Sequence, residues 1–194
     1  MINVLYIHGF NSSPQSMKAQ ITQDFFAKNY PEINFHCPQI ASSPNSAMAQ
    51  LEAIIALEPR ATWLLVGSSL GGYFATYLAE KYQVKAVLIN PAVKPFELMK
   101  AYLGEQVNPY THECYQVKEQ HIVELKALEQ ENISNNNYLV MVQTGDEVLD
   151  YQQAVEKYRQ CQLAIVQGGD HSFIDYENTL PNIASFFNLP LISA

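Results

Sequence analysis

Charge is scarce in this sequence. Only 15% of its 194 residues are charged, against about 25% in an average globular chain. Asn and Gln, about thirty together, fill the gap, which gives a polar but weakly ionised surface rather than a disordered one. Positive charge is scarcest. The net charge is −8 and the pI about 5.0, and no basic run occurs. Nucleic-acid binding through a patch that tracks phosphates is therefore disfavoured. Cysteine is rare too. Cys37, Cys114 and Cys161 are an odd, widely spaced set with no CxxC spacing. They read as reduced thiols, neither a disulfide framework nor a metal site. No apolar stretch reaches the roughly 18 residues of a membrane span. The run from Met1 to Tyr6 enters a strand-like pattern without the basic start and small-residue cleavage site of a secretory signal. A cytoplasmic location is the expectation.

What is present is apolar: 48% of residues are hydrophobic, enough for a sizeable core. The length predicts a single domain over 1–194. It is short of the roughly 250 residues of a typical (β/α)₈ barrel.

Short apolar, β-branched runs alternate with helical patterns. Strands are expected at Asn3–His8, Asn34–Cys37, Thr62–Val66, Val84–Ile89, Tyr138–Gln143 and Gln162–Val166. Their continuous apolarity fits a parallel sheet covered on both faces. Helices are expected after Ser13-Pro14 and Ser43-Pro44, each an N-cap followed by proline at the first helical position. Others are expected at Gly71–Tyr82, Tyr151–Tyr158 and near Pro181–Phe187. The alternation predicts a three-layer α/β fold with six parallel strands. About fifty residues separate the fourth and fifth strands, too many for a plain crossover. They hold helical patterns at Pro95–Leu103 and Gln116–Gln130. We read residues at about 93–137 as a lid-like helical insertion before the fifth strand.

The strongest chemical signal is Gly67-Ser68-Ser69-Leu70-Gly71-Gly72, at a strand-to-helix junction. This is the setting of a G-x-S-x-G nucleophile elbow, a sharp turn that lifts the serine hydroxyl clear of the sheet. Positions two before and two after the serine must be small, and Gly67 and Gly71 meet this for Ser69. Ser68 would be flanked by Val66 and Leu70 and is a poor candidate. A serine needs a base, and His171 lies in a Gly-flanked loop after the last strand. The base needs an acid. Asp146 follows the preceding strand, with Asp150 as the alternative, although Asp150 also suits a helix N-cap. The chain order Ser69, Asp146, His171 is that of α/β-hydrolases. Two backbone N–H groups are needed for an oxyanion hole. Leu70 follows the serine, and Phe10 lies in the loop His8-Gly9-Phe10-Asn11, with Asn11 as the alternative donor. His8 reads as structural. Tyr102, Tyr110 and Tyr115 either line a pocket or pack within the insertion.

Several runs together resemble the YqiA-type bacterial esterase family. They are His8-Gly9-Phe10-Asn11-Ser12-Ser13-Pro14, the elbow through Tyr73, Asn90–Leu98, Asn108-Pro109-Tyr110-Thr111, Thr144–Tyr151 and Gly168-Gly169-Asp170-His171. Asp170 departs from the family's Asn. The resemblance spans nearly the whole chain. It implies a small cytoplasmic α/β-hydrolase active on carboxylic esters, with Ser69 as nucleophile, Asp146 as acid and His171 as base, and the six strands read from the pattern would then be a trimmed form of that fold.

The expected reaction is hydrolysis of small or medium acyl esters through an acyl-enzyme, with no cofactor and no metal. The expected partner is a small-molecule acyl ester. An acyl-CoA thioesterase with the same triad is the alternative, but Lys94, Lys100, Lys118 and Lys126 of the insertion are offset by seven Glu residues, so no clear CoA site is visible. A non-catalytic binding protein on the same scaffold would lack a triad member, and none is missing.

Overall fold

The computed structural model describes residues 1–190. Six parallel strands form one sheet: β1 (Ile2–Ile7), β2 (Asn34–His36), β3 (Thr62–Ser68), β4 (Lys85–Ile89), β7 (Tyr138–Gln143) and β8 (Gln162–Val166). Their order is β2-β1-β3-β4-β7-β8. Strands β5 (Gly104–Val107) and β6 (Cys114–Val117) form a separate antiparallel hairpin. The helices are α1 (Met17–Asn29), α2 (Pro44–Leu57), α3 (Leu70–Tyr82), α4 (Pro95–Leu98), α5 (Glu119–Ala127), α6 (Tyr151–Lys157) and α7 (Leu180–Phe186).

Side-chain alternation divides the core into two layers. Leu5 and Ile7 of β1 point to the face covered by α2, α3, α5 and α6, where they join Leu51, Leu65, Leu78, Leu88 and Leu125. Val4 and Tyr6 point to the other face, against Phe26 of α1 and Ile183 of α7. The three-layer α/β sandwich expected from the strand pattern is the architecture found. Because all six strands run the same way, their carboxyl ends open onto one edge, where α/β sheets place ligands.

Three local expectations need correction. Ser13-Pro14 does not start α1. The Ser13 hydroxyl accepts the Gln15 N–H at 3.0 Å, and the helix begins at Met17 after Ser16. Residues 9–16 are held instead as a loop over the sheet edge. Ser43-Pro44 does open α2. The pattern over Pro95–Leu103 is one turn of α-helix, α4, followed by a 3-10 turn over Met99–Tyr102. The pattern at Gln116–Gln130 splits into the end of β6 and the shorter α5. In β6 Val117 is buried and Gln116 exposed, so a period of two operates where a helical period was read.

Among the described residues no helix is long and apolar enough to cross a membrane. No group of three or more His, Cys, Asp or Glu side chains there is placed to hold a metal ion.

Candidate active site

Ser69 stands between β3 and α3 at φ 55°, ψ −119°, a backbone conformation unfavourable for a residue with a side chain. Its surroundings impose it. The Ser69 N–H donates to Ile89 O at 3.0 Å, and its carbonyl accepts from Gly72 and Ala92 N–H, each at 3.0 Å. Two glycines leave room for the turn. A Cβ on Gly67 would lie 2.7 Å from the Gly72 Cα. A Cβ on Gly71 would run into the Ile7 carbonyl at the end of β1. Gly71 is thus required by the close approach of α3 to β1, a contact with a strand more than sixty residues away in sequence.

The structure brings the three sequence-predicted residues into one hydrogen-bonded chain. His171 Nε2 lies 3.1 Å from Ser69 Oγ. On the other side of the ring, His171 Nδ1 lies 2.8 and 3.0 Å from the two carboxylate oxygens of Asp146. The Asp146 side chain is 2% exposed and that of His171 24%, so the carboxylate is withdrawn from water while the imidazole faces the cleft. Burial by itself raises the Asp146 carboxyl. Hydrogen bonds from His171 and from the Leu149 and Val148 N–H groups outweigh it and hold the group below the usual carboxylate range. Asp146 is therefore ionised at neutral pH and fixes Nδ1 as the protonated ring nitrogen, which leaves Nε2 free to accept a proton. Asp150 is spent elsewhere: its carboxylate accepts the Gln152 N–H at 2.9 Å as the N-cap of α6.

The loop carrying His171 is clamped by polar groups at the strand ends. Gln143, at the end of β7 and buried, accepts the Asp170 and Ile174 N–H groups at 3.0 and 2.9 Å and donates to Ile174 O at 2.8 Å. Asn90, at the end of β4, donates to the Asp170 and His171 carbonyls. The Glu147 carboxylate accepts the His171 N–H at 3.0 Å. Gln143 is the last residue of a predicted strand and Asn90 the first after one, and a polar group at such a strand end is the available signal.

Phe10 and Leu70 flank Ser69. Leu70 is the first residue of α3, so its N–H has no acceptor within the helix. Among the described residues the Phe10 N–H has no backbone acceptor either. Asn11 at φ 50° uses its side-chain oxygen to accept from Tyr115 OH at 2.6 Å. The hairpin thereby holds the loop after β1, and Asn108 adds a hydrogen bond to Ser12 O at 2.9 Å. His8 lies beneath. Its Nε2 accepts the Ile40 N–H at 3.1 Å, so Nδ1 is the N–H that donates to Gly9 O at 3.0 Å. The cysteines take no part, and burial pushes the Cys37 thiol up to about 12.

Two cavities meet at Ser69 and His171. One, of about 240 Å³, is lined by Leu70, Pro95, Leu98, Met99, Tyr102 and Leu149, among others, and carries no Lys, Arg, Asp or Glu side chain. The other, of about 270 Å³, sets Ser12, Ser16, Lys18, Tyr110 and Ser172 beside Phe10 and Met17. Tyr102 and Tyr110 of the insertion thus line the two cavities, and Tyr115 braces the loop that divides them.

Over residues 3–188 the sequence matches the family described as "Uncharacterised protein family (UPF0227)". The chain belongs to UPF0227. This agrees with the YqiA-type resemblance. Solved structures of similar form place the UPF0227 chain among the α/β hydrolases in fold. Est1E from Butyrivibrio proteoclasticus, solved with ferulic acid bound, superposes with a TM-score of 0.76 at 13% identity, over 97% of this chain and 88% of that one. The mouse alpha/beta hydrolase domain-containing protein 10 gives 0.69 at 16%, over 96% and 88%. A monoacylglycerol lipase from Paleococcus ferrophilus gives 0.69 at 15%, over 95% and 94%.

Proposed function

We propose that this UPF0227 chain is a serine-dependent carboxylic ester hydrolase. The observation that carries the reading is the hydrogen-bonded chain Ser69–His171–Asp146, with the serine on a positive-φ turn at the mouth of two cavities. In the proposed cycle His171 Nε2 takes the hydroxyl proton as Ser69 Oγ attacks the ester carbon. The Phe10 and Leu70 N–H groups receive the charge that develops on the carbonyl oxygen. His171 then protonates the departing alkoxide, leaving an acyl group on Ser69. Water, activated by the same imidazole, releases the acid and restores the serine. Asp146 stabilises the imidazolium without itself taking up the proton. Residues 1–194 act as a single hydrolase domain, with the segment at about 93–137 forming the roof of the site.

The test is turnover of para-nitrophenyl butyrate. Ser69→Ala is expected to lower kcat by about 10³-fold or more and to abolish labelling by a fluorophosphonate. A variant that keeps near wild-type turnover sinks the reading.

A further inference from the structure

We propose that the site selects esters with one apolar arm and one arm bearing an anionic group, a carboxylate or a phosphate, and that Lys18 recognises the anion. This rests on the hydrolase reading and adds the substrate class.

The two cavities at Ser69 differ in one respect that matters for recognition. The apolar cavity contains no Lys, Arg, Asp or Glu. The polar cavity contains one such residue, Lys18 on the first turn of α1. The two meet at Ser69, His171 and Phe10, so an ester whose carbonyl reaches Ser69 projects one arm into each. In a chain of net charge −8, Lys18 is the one Lys or Arg lining either of the two cavities that reach Ser69.

Lys18 is not consumed by a carboxylate. Among the described residues no ion pair uses its ammonium. Its polar contacts are two neutral carbonyls, Ser172 O at 2.9 Å and His171 O at 3.5 Å. An ammonium has three donors, so at least one remains for a ligand. The two nearby carboxylates do not line the cavity. Asp146 is turned away behind the His171 ring, and Asp170 has a buried carboxylate oxygen without a partner. Burial lowers the Lys18 ammonium, partly countered by the charges of Asp170 and Asp146. A desolvated cation with a spare donor gains more from an arriving anion than a solvated surface lysine does. Ser12, Ser16, Ser172 and Tyr110 line the same cavity, and their hydroxyls suit the remaining anionic oxygens.

The experiment compares kcat/KM within two matched pairs. The butyryl ester of para-hydroxybenzoate against that of its methyl ester places the charge on the alcohol side. Para-nitrophenyl hydrogen glutarate against para-nitrophenyl pentanoate places it on the acyl side. The butyryl ester of para-hydroxyphenyl phosphate, run beside the first pair, separates phosphate from carboxylate. In at least one pair the wild type is expected to prefer the anionic ester, and Lys18→Met to cut the anionic-to-neutral ratio by about tenfold or more. Lys18→Arg, which keeps the charge, is expected to hold most of the ratio. Raised salt is expected to erode the wild-type preference, a readout that needs no variant. A ratio unchanged by Lys18→Met and by salt in both pairs overturns the proposal and leaves Lys18 as a strut for the His171 loop. If wild type and Ser69→Ala hydrolyse the neutral esters alike, it is the hydrolase reading that fails, and the specificity proposal falls with it.

Discussion

At the scale of single residues, the site depends on where one proton sits. Asp146 is held ionised by His171 and by the Leu149 and Val148 N–H groups, and that negative charge keeps the His171 proton on Nδ1. Asp146→Asn retains the shape but removes the charge, and its amide can donate to Nδ1 instead of accepting from it. The imidazole then carries its proton on Nε2, facing Ser69, where it cannot serve as a base. We expect kcat on para-nitrophenyl butyrate to fall by roughly 10²- to 10⁴-fold with little change in KM. Equal losses in kcat and in folding stability would mean that the carboxylate is mainly a structural group. Ser69, Asp146 and His171 were legible as candidates because glycine spacing around the serine, position after a strand and chain order together single them out. Lys18 and Gln143 were not. Each is an ordinary polar residue whose role exists only through partners 27 to 154 positions away.

At the scale of elements, the least expected piece is the β5–β6 hairpin. Its strands have four residues each, too short for alternation to stand out, and Gln116 and Val117 merge into the helical period that follows. Yet this hairpin holds the loop after β1 through Tyr115 OH to Asn11 and Asn108 to Ser12. Phe10 is gripped as well, its ring packing edge-on against Tyr102 at 5.1 Å and Tyr115 at 6.4 Å between centroids. A loop that supplies an N–H to an oxyanion works only when its position is set in advance. Tyr115→Phe removes one hydrogen bond and keeps both ring contacts. It is expected to lower kcat by about three- to tenfold, the effect of a bond worth about 1 kcal/mol, with an unfolding midpoint close to wild type. An unchanged kcat would show that ring packing alone sets the loop. The strands of the main sheet were legible for the opposite reason. Buried on both faces, they leave unbroken apolar runs such as Val4–Ile7 and Val87–Ile89.

At the scale of the whole molecule, His8 links the sheet to the segment between β2 and α2. Its bonds to Ile40 N–H and Gly9 O occupy both ring nitrogens and make it a structural residue. Burial, which penalises the charged ring and is only partly countered by the bond to Gly9 O, lowers its pKa below the ordinary histidine value. The unfolded chain therefore binds a proton at His8 before the folded chain does. Above about pH 6.5 both forms are neutral there and the residue adds no pH dependence. As pH falls below that value the unfolded state gains, so folding stability declines. Urea midpoints measured between pH 5 and 8 should show this slope. His8→Leu should be less stable throughout, with a slope reduced relative to wild type. Parallel curves for the two proteins would remove His8 from the account.

The sheet order has a consequence for the time course of synthesis. Ser69 and its turn emerge from the ribosome early, while His171 follows 102 residues later, a delay of roughly 5 to 20 seconds at 5–20 residues per second. Strand β1 can pair with β2 and β3 during that interval, but β8 and the loop behind it take the outer position beside β7 last. On the proposed function, a nascent chain would carry the Ser69 hydroxyl without His171 beside it, and hydrolysis would begin only once the far edge of the sheet is laid down.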